Sequence, residues 1–399
     1  MTDENIIDVT PEDLEETLPG GDEKDSYTPN DKIKVLIIGK GYMGDSLSKF
    51  LSVDSENLEV HTITRTQLDY LEKDNLINFI NNYQEQGVDF TYVVNCVGFT
   101  GERNIDEVKG NPELNFYLNV YFPIMLGSIC DELNLSLIHI GSGCIYTDLP
   151  YNDDEGNRIS SSKLYREKIN SNDAGGNDPT GWRENDIPNF GIGNIDSSEY
   201  SKAKHQSELL LTNLYNNVYA LRIRLPFSEE WYHKSTLSKL LSYKNIVKSV
   251  NSATYLYDLH NFIYNVIISG EIPYGIYNIT SNGTLDGETF IKVYNDFKDR
   301  LIEKELLDKN DDLDKELIEL NEFKDKCRIV ENRSFTILNN EIAQEAIGAT
   351  FTEINEELLV RCFENLLENG YNTDILTKHL RSEDFEDPDN QKELTESDL

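Results

Sequence analysis

From Lys32 to Leu51 the chain runs through an apolar stretch, Lys32–Ile38, into Gly39-Lys40-Gly41-Tyr42-Met43-Gly44 and on into an amphipathic segment. The apolar run reads as a buried strand and the segment after the glycines as a helix. Glycines spaced GxGxxG between a strand and a helix let the backbone approach a pyrophosphate at a helix N-terminus. This junction constrains the fold most, because it needs a parallel strand–helix–strand unit around it. The alternation continues with strand Leu58–Ile63, helix Asn75–Tyr83, strand Phe90–Val97, helix Pro112–Glu132 and an apolar run, Leu135–Ile140. After a long polar stretch come a helix from Tyr200 to about Tyr215 and a strand Val218–Arg224. The predicted fold is α/β, a Rossmann-type doubly wound parallel sheet, followed by a smaller C-terminal α/β lobe.

The expected plan is an acidic disordered tail at 1–31, a nucleotide-binding domain at 32–225, a substrate lobe at 226–372 and a second acidic tail at 373–399. The polar residues 148–194 are read as an insertion whose later part, Trp182–Phe190, forms a lid over the site. In the lobe the pattern predicts helix Ser235–Tyr243, strand Ile246–Val250, helix Tyr255–Ile268, strand Gly275–Thr280 and helix Gly287–Lys304. A charged helical stretch to Lys326 and a last helix, Ile354–Asn369, complete it. A formal charge of -37 argues against nucleic acid and against an anionic membrane surface as partners. The cysteines Cys96, Cys130, Cys144, Cys327 and Cys362 are scattered and without metal-ligand spacing, which points to a reducing compartment and to no metal. No apolar run reaches the length of a membrane span, so a soluble cytoplasmic protein is expected.

The chemistry concentrates at strand ends. The second strand ends in Thr64-Arg65-Thr66, and a basic residue flanked by hydroxyls suits the 2′-phosphate of NADPH, with NADH as the alternative. Lys40 is a second candidate for that phosphate. Val97 and Gly98, at the end of the third strand, allow close approach of a flat cofactor. The expected cofactor contacts are therefore Gly39, Lys40, Gly41, Tyr42, Met43, Gly44, Arg65, Val97 and Gly98, joined by Tyr200 and Lys204. The fourth strand ends in Gly141-Ser142-Gly143-Cys144-Ile145-Tyr146. If extended geometry persists there, the Ser142 hydroxyl and the Cys144 thiol point the same way. The hydroxyl suits polarising a carbonyl, the thiol moving a proton on or off carbon. Tyr200 and Lys204 share a helix face, and a lysine ammonium beside a tyrosine favours its phenolate. Tyr294 and Lys298 have the same spacing but lack the preceding glycine fingerprint and strand-end serine.

This order of motifs resembles the extended short-chain dehydrogenase/reductase family, and within it the nucleotide-rhamnose synthases and dTDP-4-dehydrorhamnose reductases. The resembling segments are Val93–Gly101, Gly141–Tyr146, Trp182–Phe190, Tyr200–Lys204, Leu221–Ser228, Val250–Leu259 and Gly275–Thr280, with a fainter one at Asn332–Leu338. The resemblance implies an NADPH-dependent enzyme acting on a nucleotide-4-keto-6-deoxyhexose. Ser142 and Tyr200 would hold the C4 ketone, with Tyr200 as proton donor. Lys204 would bind the nicotinamide ribose, and Asn119 would orient Lys204 through water. Inversion at C3 and C5 would fall to Cys144 and Lys239, with Lys234 or His233 as alternatives to the lysine. A reductase without epimerase activity, an enzyme similar to GDP-fucose synthase, and a partner-binding regulatory subunit like that of methionine adenosyltransferase remain open. So does the carrier: UDP, dTDP or GDP. By analogy of fold, two copies pair through long helices into a homodimer.

Overall fold

The computed structural model describes residues 32–101, 104–170, 181–230, 232–305, 307, 313–327 and 329–368. Both expected acidic tails lie outside these residues, as does the 171–180 part of the insertion.

Val35 to Ile38 have no solvent exposure, and a run buried on both faces belongs at the middle of a parallel sheet. It forms β1 (Ile33–Ile38), followed by α1 (Tyr42–Leu51), β2 (Leu58–Ile63), α2 (Lys73–Glu85) and β3 (Phe90–Asn95). Pro112–Phe116 and Phe122–Glu132, joined by a π-helical turn at Tyr117–Tyr121, make up α3. Then come β4 (Ser136–Ser142), α4 (Glu199–Leu214), β5 (Val218–Ile223), α5 (Leu256–Ser269) and β6 (Gly275–Asn278). The six strands are parallel in the order β6-β5-β4-β3-β1-β2. Alternate residues of β1 enter opposite cores. Val35 and Ile37 pack with Leu47 and Leu51 of α1 and Phe262 of α5, whereas Leu36 and Ile38 pack with Leu76 of α2, Leu126 of α3 and Leu211 of α4. Helices therefore cover both faces, as the sequence predicted.

From β1 the chain crosses to β2 on one side and returns to β3 on the other. That reversal opens a crevice at the carboxyl ends of β1 and β3, where ligands bind in open α/β sheets. The glycine turn follows β1, and Val97 and Gly98 follow β3.

Several elements differ from expectation. The strand at Gly275, expected in the lobe, extends the main sheet as β6 by pairing with β5. The insertion is not structureless: Leu149–Asn152 and Arg158–Ser161 form an antiparallel hairpin, and Ser162–Asn170 is a helix. Of the expected charged helical stretch to Lys326, the described residues form a single short helix, Phe323–Lys326. The helix before it, Gly287–Glu303, ends where expected, and Glu316–Ile318 pairs as a strand with Asn245–Val247. Ile318 is buried there, so one apolar contact outweighs the helical preference of the surrounding charges. Strand Ile246–Val250 is split into Asn245–Val247 and Val250–Asn251, and helix Glu341–Ile347 had no expectation.

One buried ion pair ties α4 to β5. Arg222 Nε and Nη2 donate to Glu208 Oε2 and Oε1 at 2.8 and 2.7 Å, and Nη1 donates to the Glu184 carbonyl at 3.1 Å. Both side chains are almost wholly buried. Glu208→Ala strands the guanidinium in the core and is expected to cost about 3–5 kcal/mol, read as a lower urea midpoint. A loss under about 1 kcal/mol would mean that water replaces the carboxylate.

Candidate active site

The glycine turn is shaped by its three glycines in different ways. Gly39 has φ +93°, and a Cβ there would stand 2.9 Å from Val97 Cγ2. A Cβ on Gly44 would collide with the Gly39 carbonyl, so α1 lies directly on the turn. Gly41 is the opposite case: nothing lies within 4 Å of a Cβ built on it, and α1 begins there with no side-chain cap. Open space over uncapped N–H groups at a ten-residue helix fits a pyrophosphate. Tyr42 and Met43 offer that site backbone only. The Tyr42 ring stacks on Tyr232 at 4.8 Å and its hydroxyl lies 3.0 Å from Ser228 Oγ, while Met43 packs into the core. Burial pushes the Tyr42 hydroxyl up to about 12. Lys40 and Arg65 are exposed, and Arg65 has Asp69 at 3.9 Å.

The residues expected to handle protons come from β4 and α4. Ser198 caps α4, its Oγ accepting from Ser201 N–H at 3.1 Å, which sets Tyr200 and Lys204 on the first turns facing β4. The Tyr200 hydroxyl is hydrogen-bonded to Ser142. Burial first, then the neighbouring Cys144, push the Tyr200 hydroxyl well above its ordinary value, while the bond to Ser142 draws it back. Lys204 donates to the Ile140 carbonyl at 3.1 Å, and burial lowers its ammonium to about 8 against the pull of Cys144 and Glu208. A Cβ on Gly98 would lie 3.7 Å from Lys204 Nζ and 3.2 Å from Asn119 Oδ1. The loop after β3 thus approaches the lysine closely.

Asn119 sits in the π-helical turn of α3, a distortion common at functional sites. Its Oδ1 accepts from Phe99 N–H at 3.0 Å, and its Nδ2 donates to Phe99 O at 2.7 Å and Asn115 Oδ1 at 2.8 Å. It clamps the backbone beside Gly98, and no direct bond joins it to Lys204.

The extended geometry expected through Ser142 and Cys144 does not persist. The strand ends at Ser142, and Gly143–Ile145 is a 3₁₀ turn in which Cys144 N–H donates to Ser142 Oγ at 3.1 Å. Cys144 still acts electrostatically on both Tyr200 and Lys204. Lys239, half-buried on helix Thr236–Ser242, is brought down to about 8 by burial and then by Lys234, with Arg333 adding to this and Glu107 opposing it. No hydrogen bond among the described residues joins Lys239 to Cys144.

Trp182, expected in a lid, is buried and stacks on Tyr146 at 5.0 Å. Asn189 bonds Thr147 N–H and O at 2.9 and 3.0 Å, and Phe190 N–H reaches Ile145 O at 2.8 Å, so this segment buttresses the turn carrying Cys144. Sequence reasoning missed Arg224 and Ser334, which meet that turn from behind. The second arginine of Leu221-Arg222-Ile223-Arg224 was the available signal, since a charge at the end of a buried strand needs a partner.

No family model matches the chain. A bifunctional dTDP-4-dehydrorhamnose 3,5-epimerase/dTDP-4-dehydrorhamnose reductase of Arabidopsis thaliana is 30% identical over 210 residues, 52% of this chain and 60% of that protein. A trifunctional UDP-glucose 4,6-dehydratase/UDP-4-keto-6-deoxy-D-glucose 3,5-epimerase/UDP-4-keto-L-rhamnose-reductase of the same plant is 28% identical over 269 residues, 66% of this chain and 34% of that protein. The chain therefore spans less than two thirds of the length of these relatives. Among solved structures, the L780 UDP-rhamnose synthase of Acanthamoeba polyphaga mimivirus superposes with a TM-score of 0.61 at 22% identity, over 84% of this chain and 100% of that one. A dTDP-4-dehydrorhamnose reductase of Bacillus anthracis, in complex with NADP, gives 0.57 at 14% identity, over 84% and 98%. At these identities the superpositions establish the shared Rossmann-type fold. Among the described residues no helix is long and apolar enough to cross a membrane.

Proposed function

We propose that this chain, a homologue of the nucleotide-rhamnose synthases and dTDP-4-dehydrorhamnose reductases with their Rossmann-type fold, is an NADPH-dependent 3,5-epimerase/4-reductase. Its substrate is a UDP- or dTDP-4-keto-6-deoxyglucose and its product the L-rhamnose nucleotide. The observation that carries this reading is the convergence of Ser142, Tyr200, Lys204 and Cys144 at the carboxyl end of β4.

In the epimerase half, the ketone acidifies the protons on C3 and C5. Cys144 or Lys239 takes such a proton, and the electron pair moves to the ketone oxygen, where Ser142 and Tyr200 donate hydrogen bonds. A proton returned to carbon from the opposite side inverts the centre. In the reductase half, the chemistry a bound NADPH supplies is hydride transfer to C4. Tyr200, held protonated by burial, gives its proton to the C4 oxygen, and the Lys204 ammonium balances the phenolate left behind. Lys239, which feels the charges of Lys234 and Glu107 and stands outside the Cys144 turn, serves as the second proton carrier from the lobe.

The test is purified protein with UDP-4-keto-6-deoxyglucose in deuterated water. Deuterium entering C3 and C5 without NADPH, and a rhamnosyl nucleotide with it, support both halves. NADPH oxidation without exchange reduces the reading to a 4-reductase. Silence with UDP, dTDP and GDP substrates overturns it in favour of a partner-binding role.

Arg65 and Lys40 are assigned to the 2′-phosphate. Arg65→Asp is expected to weaken NADPH about 10- to 150-fold, the worth of one hydrogen bond to a charged group, and to leave NADH within about twofold. Equal losses for both cofactors would move the 2′-phosphate contact elsewhere. Two copies are proposed to pair through α3 and α4, which pack side by side and expose Phe116, Tyr121, Leu209 and Leu214. Sedimentation is expected to give a dimer of the 45.8 kDa chain, and Leu209→Glu a monomer. A monomeric unmodified protein would exclude this pairing.

A further inference from the structure

Arg224 follows β5 and is fully buried behind the 3₁₀ turn. Its Nη1 donates to Ser334 Oγ at 2.7 Å and Gly143 O at 3.2 Å, and lies 3.8 Å from Cys144 Sγ. Its Nη2 donates to Asn251 Oδ1 at 2.8 Å and Ser334 O at 3.1 Å. The Nε–H is buried with no acceptor. Among the described residues no carboxylate lies within ion-pair distance of this guanidinium. Arg222, two residues earlier, is by contrast locked to Glu208. A buried charge bonded only to neutral acceptors is poorly compensated. Among the side chains that the guanidinium touches, the one able to take up a negative charge is Cys144; the Tyr165 phenol also feels the guanidinium but makes no bond to it.

The placement of Arg224 is itself enforced. A Cβ on Gly143 would stand 2.9 Å from Arg224 Cγ, so the glycine lets the arginine lie against the turn. Ser334 sits next to Arg333, whose Nη1 and Nη2 both donate to Asp106 at 2.8 Å, and Ser334 Oγ also donates to the Tyr146 carbonyl. The strap through 333 and 334 thus fastens the guanidinium to the turn from outside.

We propose that Arg224 is a positioning residue for Cys144: it supplies the countercharge for the thiolate form, the form that removes a proton from carbon. This rests on the epimerase reading above. Cys144 also interacts electrostatically with Tyr200 and Lys204 of α4. When the thiolate takes the carbon-bound proton it becomes a thiol, and the negative charge passes to the ketone oxygen on the Ser142 and Tyr200 side.

The test is the rate at which iodoacetamide alkylates Cys144 at neutral pH, followed by peptide mass mapping to separate it from the other half-buried cysteines, Cys96 and Cys327. Arg224→Gln is expected to slow alkylation at least about tenfold, and Arg224→Lys, which restores the charge, to recover it to within about threefold. A structural role alone would not distinguish the two variants by charge. Equal rates in all three proteins overturn the pairing. The ultraviolet thiolate absorbance of the unmodified protein minus that of Cys144→Ala at neutral pH reads the same pairing with Arg224 in place. A thiolate signal supports it, and none overturns it. Neither measurement needs a substrate. Rapid alkylation without deuterium exchange on any nucleotide sugar would therefore overturn the proposed reaction and support the pairing.

Discussion

Tyr200→Phe is expected to lower NADPH oxidation about 10²- to 10⁴-fold while NADPH binding stays within about twofold. The phenyl ring keeps the packing of a side chain only 8% exposed, so the substitution removes the hydroxyl and little else. What is lost is the proton that neutralises the C4 oxygen as hydride arrives, and neither neighbour can substitute for it. Ser142 has a far weaker acid in its hydroxyl, and Lys204 is held 3.1 Å from the Ile140 carbonyl, on the strand behind it. Steady-state turnover with the 4-keto sugar and a fluorescence titration of NADPH separate the two effects. Turnover near that of the unmodified protein would assign the proton to another group.

Cys144→Ala is expected to cut deuterium entry at C3 and C5 by a similar factor, about 10²- to 10⁴-fold. The substitution keeps Cβ and the 3₁₀ turn, because the bond to Ser142 Oγ comes from the backbone N–H. Reduction of a substrate already epimerised at both centres should continue, since hydride and proton delivery at C4 use Tyr200 and Lys204. Product analysis by NMR distinguishes the outcomes. Undiminished exchange would make Cys144 a small packing residue, the ordinary fate of a cysteine at the edge of a core.

The inner strands of the main sheet, β1, β3, β4 and β5, were legible because each carries a short apolar run that is largely buried on both faces, a pattern that needs no knowledge of partners. β2 lies where the sequence placed it, residue for residue, and α1 begins within the glycine fingerprint. Tyr200 and Lys204 were legible for a similar reason: helical spacing carries both to one face. Other readings failed where local preference and packing disagreed. Glu316–Ile318 lies among charged residues with helical propensity, yet pairs as a strand because Ile318 finds a buried place beside Asn245–Val247. The polar residues from 148 to 170 gave no periodicity, although the Tyr165 side chain anchors their helix, its hydroxyl donating to the Val250 carbonyl at 2.6 Å.

By itself, then, the sequence determined the parallel α/β sheet, the glycine turn at its crevice, and the order Ser142, Tyr200, Lys204. These follow from periods of two and 3.6 residues and from spacings of a few residues, all local properties of the chain. Only the tertiary structure decided that Gly275–Asn278 completes the main sheet, that Asn119 clamps Phe99, and that a buried guanidinium faces Cys144. Arg224 and Ser334 are 110 residues apart, and Asp106 and Arg333 are 227 apart. Which of many charged residues will meet across such separations is set by how the elements pack and what they exclude from water, and no local pattern encodes it.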